Sequence, residues 1–204
     1  MSHGDSSHVS RRSFLKGAGG VAAAGTALGA AQALARGAEV ERMSGLTAIE
    51  LTINGEKRTV KVEPRTSLLD ALRNHCEPAL TGAKLVCDQG SCGACTVFVD
   101  KKPVYACMLL AMDCIGKGVA TVEGLAQGGK LSAVQEAFVA RDALMCGFCT
   151  PGFVMSVTAC LEKNPSATRE EIQKACSGNL CRCGTYPHVF EAALAAGKKM
   201  QGGR

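Results

Sequence analysis

The chain has no tryptophan, two tyrosines and six phenylalanines in 204 residues, so aromatic side chains supply only 4% of it. A core built on large rings is therefore excluded, and something else must organise the fold. No dense basic run is present: 23 Lys and Arg stand against 18 Asp and Glu, a formal charge of +5 spread along the chain. That argues against a nucleic-acid surface, which needs clustered charge. The sequence also lacks a Gly-rich phosphate loop, a Ser, His and Asp constellation and an acidic metal cage, so no independent active site is visible. His75 and His188 read as packing or surface groups. What the chain does have is twelve cysteines, an unusual supply of soft sulfur ligands.

The N-terminus carries its own signal. Ser10-Arg11-Arg12-Ser13-Phe14-Leu15-Lys16 precedes a weakly apolar Ala/Gly stretch that ends in Ala33-Leu34-Ala35. Adjacent arginines, an apolar segment and a small-x-small end are the features of a twin-arginine export leader, cut before Arg36. A retained membrane anchor is the alternative. Removing residues 1–35 takes off three basic residues and one acidic one and leaves 169 residues at about +3. The expectation is a periplasmic protein with no stable membrane span after leader removal. Twin-arginine export carries folded proteins, often with cofactors already in place.

Eight cysteines fall into two groups of four. Cys87, Cys92 and Cys95 have the C-x4-C-x2-C spacing of plant-type [2Fe-2S] loops, with Cys107 after a gap of eleven residues. Gly90 and Gly93 allow so short a loop to wrap a compact centre. The second group is Cys146-Gly147-Phe148-Cys149 with Cys181-Arg182-Cys183, two close pairs from separate elements. Four thiolates suit iron–sulfur or zinc, and zinc is the serious metal alternative here, although a one-residue gap is unusual in structural zinc sites. A disulfide framework would require neighbouring half-cystines to find remote partners, in a chain with enough apolar residues for a core. Cys76, Cys114, Cys160 and Cys176 lie on apolar or helical stretches and read as small buried hydrophobes.

The pattern divides into an alternating half and a helical half, an α+β chain. Ile49, Leu51 and Ile53, then Asn54-Gly55, then Thr59 to Val62 read as a hairpin on a primed turn, ended by Pro64. Thr66 to Arg73 reads as a short helix laying Leu68, Leu69 and Leu72 on the sheet. Thr96 to Val99, a turn over 100–103, and Val104 to Cys107 form a second hairpin, with Cys95 at its entry and Cys107 at its exit. Past Glu123 the period becomes helical, with a junction over 124–130. Four helices are expected: one over 131–144; one started by Thr150-Pro151 and running to Leu161; one capped by the Thr168-Arg169-Glu170-Glu171 box and ending near Ala175; and one started by Pro187. The domains are placed at 46–123 and 124–197, with a flexible tail at 198–204. Gly93, Ala94, Gly147 and Gly184 are small enough to turn backbone N–H groups toward sulfur, and Arg182 and Lys84 are candidates to offset charge at the centres.

The runs Gly82 to Val97, Cys146 to Gly152 and Gly178 to Tyr186 resemble the small iron–sulfur subunit of the xanthine dehydrogenase and aldehyde oxidoreductase family of molybdenum hydroxylases. The resemblance spans roughly residues 47–197. It implies a plant-ferredoxin-like β-grasp domain followed by a helical four-helix domain, each with one [2Fe-2S] cluster. Ligation would fall to Cys87, Cys92, Cys95 and Cys107, and to Cys146, Cys149, Cys181 and Cys183. It further implies a large partner subunit holding a molybdopterin cofactor, which hydroxylates an aldehyde or an N-heteroaromatic. Electrons would pass through the helical-domain cluster to the ferredoxin-like one, then to an FAD subunit, a cytochrome c or another acceptor. Two positions depart from the family. Met145 stands where members usually carry a Gln whose amide touches the pterin, and Val86 stands where Gly is frequent, a place Val fits only at negative φ. The competing readings are a free-standing exported two-cluster ferredoxin-type carrier and a disulfide-stapled binding module.

Overall fold

The structure is a computed structural model and describes residues 43–202. The leader assigned to residues 1–35 lies outside the described residues. From Met43 onward the chain forms one compact unit. Its first half is a five-stranded sheet, β1 (Thr47–Ile53), β2 (Glu56–Val62), β3 (Thr96–Val99), β4 (Lys102–Tyr105) and β5 (Gly118–Ala120), in the order β2-β1-β5-β3-β4. Its second half is helical: α2 (Ala133–Ala140), α3 (Thr150–Lys163), α4 (Arg169–Ala175) and α5 (Tyr186–Gly202). The short α1 (Leu68–Asp70) belongs to the sheet domain and runs on into a wider π-type turn over Ala71–His75. The expected α+β order, a β-sheet domain and then a helical one, is what the chain adopts.

The first hairpin forms where alternation and turn chemistry agree. Ile49, Leu51 and Ile53 point to one face and are buried, as are Val60 and Val62 on β2. Asn54 and Gly55 take φ of 53° and 84°, the left-handed pair that a primed turn needs to match strand twist. Asn54 does more than turn the chain: its side chain donates to Thr121 Oγ1 (3.1 Å) and accepts from Thr121 N–H (2.8 Å). That bond pins the end of β5 against the hairpin. Ser67 caps α1 by accepting from Asp70 N–H, and Leu68, Leu69 and Leu72 seal the sheet's buried face.

The second hairpin turns more tightly than 100–103. Asp100 and Lys101, at φ 48° and 63°, make a two-residue turn, so Pro103 lies within β4 opposite Phe98. β4 is an edge strand, where a missing N–H interrupts no ladder on the open side. The alternating stretch that ends at Glu123 supplies β5. It pairs parallel with β1 and antiparallel with β3, and so closes the middle of the sheet with three residues.

Helix ends follow capping chemistry more closely than hydrophobic period. The first long helix is shorter than 131–144 because Ser132 and Gln135 form a reciprocal capping box at its start. Its end is set by Asp142 at φ 49°, with Ala143 N–H bonded to Phe138 O and Asp142 N–H to Val139 O. Those two bonds are a Schellman stop, here with Asp in the left-handed place usually taken by Gly. Thr168 and Glu171 form the expected box ahead of α4. The tail expected at 198–204 is corrected: α5 continues to Gly202. Lys199 pairs with Glu136 of α2, and Gln201 donates to Pro165 O (2.8 Å), so this last turn has partners. The helical core gathers Val134, Phe138, Phe153, Val157, Leu161, Ile172 and Val189. Among the described residues no helix is long and apolar enough to cross a membrane.

Candidate electron-transfer site

All twelve cysteines are free thiols. Cys76, Cys114 and Cys176 are core residues, as expected, whereas Cys160 is only half-buried. The other eight collect in two places.

In the sheet domain, residues 82–95 fold into a tight loop with Asp88, Gly90 and Gly93 at φ 53°, 72° and 68°. Lys84 N–H bonded to Ala94 O (3.1 Å) closes its base. Cys95 leads into β3 and Cys107 sits on a 3-10 turn directly after β4, and their sulfurs stand 3.4 Å apart. Cys87 and Cys92 form the second pair. The Cys87 thiol is held down at about 6 by the Gln89 N–H first and then by the Ser91 hydroxyl. Burial, with the Cys107 thiol beside it, pushes Cys95 up to about 12.

In the helical domain, Cys146 lies between α2 and α3, and Cys149 is the N-cap of α3. Cys181 and Cys183 lie ahead of α5. Again the thiols meet in twos, Cys149 with Cys181 and Cys146 with Cys183. Burial raises Cys149 to about 12. Burial also pushes on Cys181, but the Thr185 hydroxyl and amide, with Cys149 and the Gly184 N–H, outweigh it and leave that thiol at about 7. Thr185 Oγ1 is 3.1 Å and Thr185 N is 3.5 Å from the sulfur, and the Cys181 N–H donates to the Tyr186 phenol (2.8 Å). Tyr186 is held edge-on against Phe153, ring centres 5.7 Å apart.

The two places adjoin. Leu180 N–H donates to the carbonyl of Cys92 (2.9 Å). Buried Asn179 donates to Gly93 O (3.0 Å) and accepts from Ser156 Oγ of α3 (2.7 Å). The approach is close enough that a Cβ on Gly93 would fall 2.5 Å from Gly178 O. Gly93 is therefore used for clearance between the cysteine loops, a role its spacing did not signal.

The pairwise sulfurs fit a dinuclear centre, in which each of two irons takes two thiolates. A single ion needs its ligands around one point, and among the described residues no three His, Cys, Asp or Glu side chains form such a group. One further detail points the same way. Thr150 Oγ1, next to Cys149 at the start of α3, is buried without a hydrogen-bond partner, and an inorganic sulfide would supply an acceptor there.

Other expected contributors behave differently. Lys84 Nζ donates to Thr81 O (2.8 Å) rather than facing the thiols. Arg182 is exposed beside its two cysteines. Val86 avoids the left-handed region, as a β-branched residue must, and Met145 is 67% exposed. His75 pairs with Asp70 (3.3 Å), and His188 lies at Arg141 O (3.1 Å). Asn179, Thr185 and Tyr186 belong to the Gly178 to Tyr186 run, but only the fold assigns them partners.

A sheet domain and a helical domain, each offering four paired thiols, define a two-centre [2Fe-2S] electron-transfer protein. Residues 51–114 match the family described as "2Fe-2S iron-sulfur cluster binding domain" and residues 121–194 the one described as "[2Fe-2S] binding domain". The nicotine 6-hydroxylase small subunit of Paenarthrobacter nicotinovorans is 51% identical over 148 residues, 72% of this chain and 88% of that one. The nicotinate dehydrogenase small FeS subunit of Eubacterium barkeri is 44% identical over 72% of this chain and 93% of its own length. Among solved structures, quinoline 2-oxidoreductase from Pseudomonas putida 86 contains a similar chain, with TM-score 0.73 and 43% identity over 78% of this chain and 99% of that one. The chain belongs to the family of small iron–sulfur subunits of xanthine dehydrogenase and aldehyde oxidoreductase type molybdenum hydroxylases. It is a non-catalytic electron-transfer subunit, and membership of this family implies a large partner subunit that holds molybdopterin.

Proposed function

We propose that Cys87, Cys92, Cys95 and Cys107 hold one [2Fe-2S] centre and Cys146, Cys149, Cys181 and Cys183 the other, in an exported hydroxylase acting on an N-heteroaromatic ring. The pairwise meeting of thiols in both loops carries the ligand assignment. When bound, the two centres supply one-electron redox sites that relay electrons from the molybdenum subunit to an acceptor, an FAD subunit or a cytochrome c. The chain's part is to fix the sulfurs, to donate hydrogen bonds to them from Gln89, Ser91, Gly184 and Thr185, and to exclude water from Cys95. The helical-domain site faces the molybdenum subunit. Cys146 and Cys183 are exposed there, beside Leu144, Met145, Phe148 and Leu180, all solvent-facing apolar side chains. Exposed apolar groups flanking a redox site suit a protein interface.

The nicotine, nicotinate and quinoline enzymes among the relatives support an N-heteroaromatic rather than an aldehyde. The paired arginines and the Ala33-Leu34-Ala35 end support twin-arginine export to the periplasm. The complex isolated from its native host tests the reading. About four irons per chain, two distinct EPR signals after reduction, and a co-purifying molybdenum subunit that oxidises quinoline or nicotinate in preference to benzaldehyde are expected. Zinc in the helical site would overturn the ligand assignment. Recovery of the chain alone, with both clusters and no large subunit, would favour the free-standing carrier.

A further inference from the structure

The hydroxyl of Thr185 has no role in covalent ligation, yet it is placed against a ligand sulfur. Thr185 is 5% exposed, and its Oγ1 lies 3.1 Å from Cys181 Sγ, its one partner among the described residues. Its own N–H approaches the same sulfur at 3.5 Å. In the free thiol either atom can donate. In a ligating thiolate the sulfur has no proton, so the hydroxyl must be the donor. Ser91 makes the corresponding contact to Cys87 in the sheet domain, but Ser91 is exposed, so water competes for both partners. The Thr185 bond is enclosed, where a hydrogen bond to a charged acceptor is stronger. Its backbone is fixed at the entry to α5, and Tyr186 is locked by the Cys181 N–H and by Phe153. Neither side chain is free to turn away.

We infer that Thr185 is a potential-setting residue of the helical-domain centre, its buried hydroxyl donating to Cys181 Sγ and favouring the reduced state. Reduction adds one electron and no proton, and part of the added negative charge falls on the ligand sulfurs. A donor aimed at one of them strengthens as that charge grows, so the reduced form gains more than the oxidised form.

The inference rests on the assignment of Cys181 as a ligand, and the experiment separates the two. The purified complex is titrated with dithionite as electron donor, and each centre's EPR signal is followed against applied potential. In Thr185→Val, which keeps the shape and removes the hydroxyl, the helical-domain signal is expected to need a lower potential. Its reduced-to-oxidised ratio at fixed poise should fall about tenfold, equal to about 59 mV for one electron. The sheet-domain signal should not move, and Thr185→Ser should restore most of the shift. Iron near four per chain in the variants confirms ligation independently of the potential. An unchanged helical-domain potential in fully loaded Thr185→Val would overturn the inference, as would an equal shift in Thr185→Ser. Thr185→Ala serves if valine is not accommodated. Loss of helical-site iron from both variants would also overturn it, since the hydroxyl would then be structural.

Discussion

At the scale of single residues, each group of four cysteines mixes easily ionised and reluctant thiols. Cys87 sits at about 6 and Cys181 at about 7, whereas Cys95 and Cys149 are pushed to about 12. In the iron-free chain this predicts an order of alkylation. At pH 7 iodoacetamide should label Cys87 and Cys181 first, because the thiolate is the nucleophile, and leave Cys95 and Cys149 nearly untouched. Peptide mass spectrometry over pH 5 to 9 checks it, and equal labelling of Cys149 and Cys87 at pH 7 would contradict it. The linkage has a definite sign. A thiol depressed to about 6 from an ordinary 9.0 stabilises the iron-free fold fully above pH 9, and that contribution is lost as pH falls through 6. Gly93 shows a second kind of constraint. Alanine there would meet Gly178 O at 2.5 Å with φ at +68°, so Gly93→Ala should cost about 1–3 kcal/mol, read from the urea midpoint of the iron-loaded protein. Cysteine spacing made the sulfur groups legible in the sequence, because ligands to one centre must recur at short intervals. It could not reveal Gly93 or Thr185, whose partners Gly178 and Cys181 are chosen by how loops dock and how α5 begins.

At the scale of elements, local chemistry was legible and non-local pairing was not. Asn54-Gly55 and the Thr168 box each contain their whole instruction within a few residues, and both form as read. β5 closes the alternating half, but three residues are too few for the pattern to name its neighbours. Its identity as a central strand comes from β1 and β3, whose free edges it fills. Apolar recurrence continues through Leu144 while the backbone stops at Asp142, so period alone overextends the 131–144 helix. That stop yields a prediction. Asp142 takes φ 49° without a Cβ-free backbone, so Asp142→Gly should stabilise the protein by about 0.5–1 kcal/mol in denaturant titration. A loss of stability would mean that the Asp side chain supports the turn in a way its geometry does not show. Asn179 is the opposite case, an element junction with no slack. Asn179→Ala removes the donor to Gly93 O and leaves buried Ser156 Oγ without its acceptor, so a loss of about 1–3 kcal/mol is expected. Adding Ser156→Ala should recover part of it, since the stranded hydroxyl goes too.

At the scale of the whole molecule, the scarcity of aromatic residues takes on a physical meaning. Most core side chains are aliphatic or alanine, in two separate clusters, and each cluster borders a group of four thiols. Iron binding is then a share of folding energy in both halves. The same economy shapes the outer face, where Leu144, Met145, Phe148 and Leu180 leave large apolar side chains in water around the exposed thiols. Phe148 is 57% exposed between Cys146 and Cys149, and Met145 stands beside it. A side chain so placed gains little in the isolated chain and much under a partner, which makes it the anchor to test. Phe148→Asp should leave about four irons per chain and both EPR signals in place, because the phenyl ring is exposed and has no polar atom to offer a sulfur. It should weaken association with the molybdenum subunit by about thirtyfold, the size expected when an aromatic anchor of about 2 kcal/mol is replaced by a charge. Met145→Gln provides the contrast on the same face. It adds amide donors without removing area, so association should persist while the rate of electron entry, followed by stopped-flow bleaching of the iron–sulfur absorbance, changes. If Phe148→Asp binds as tightly as the wild type, the molybdenum subunit must contact a different surface, and the exposed apolar residues around Cys146 would need another occupant.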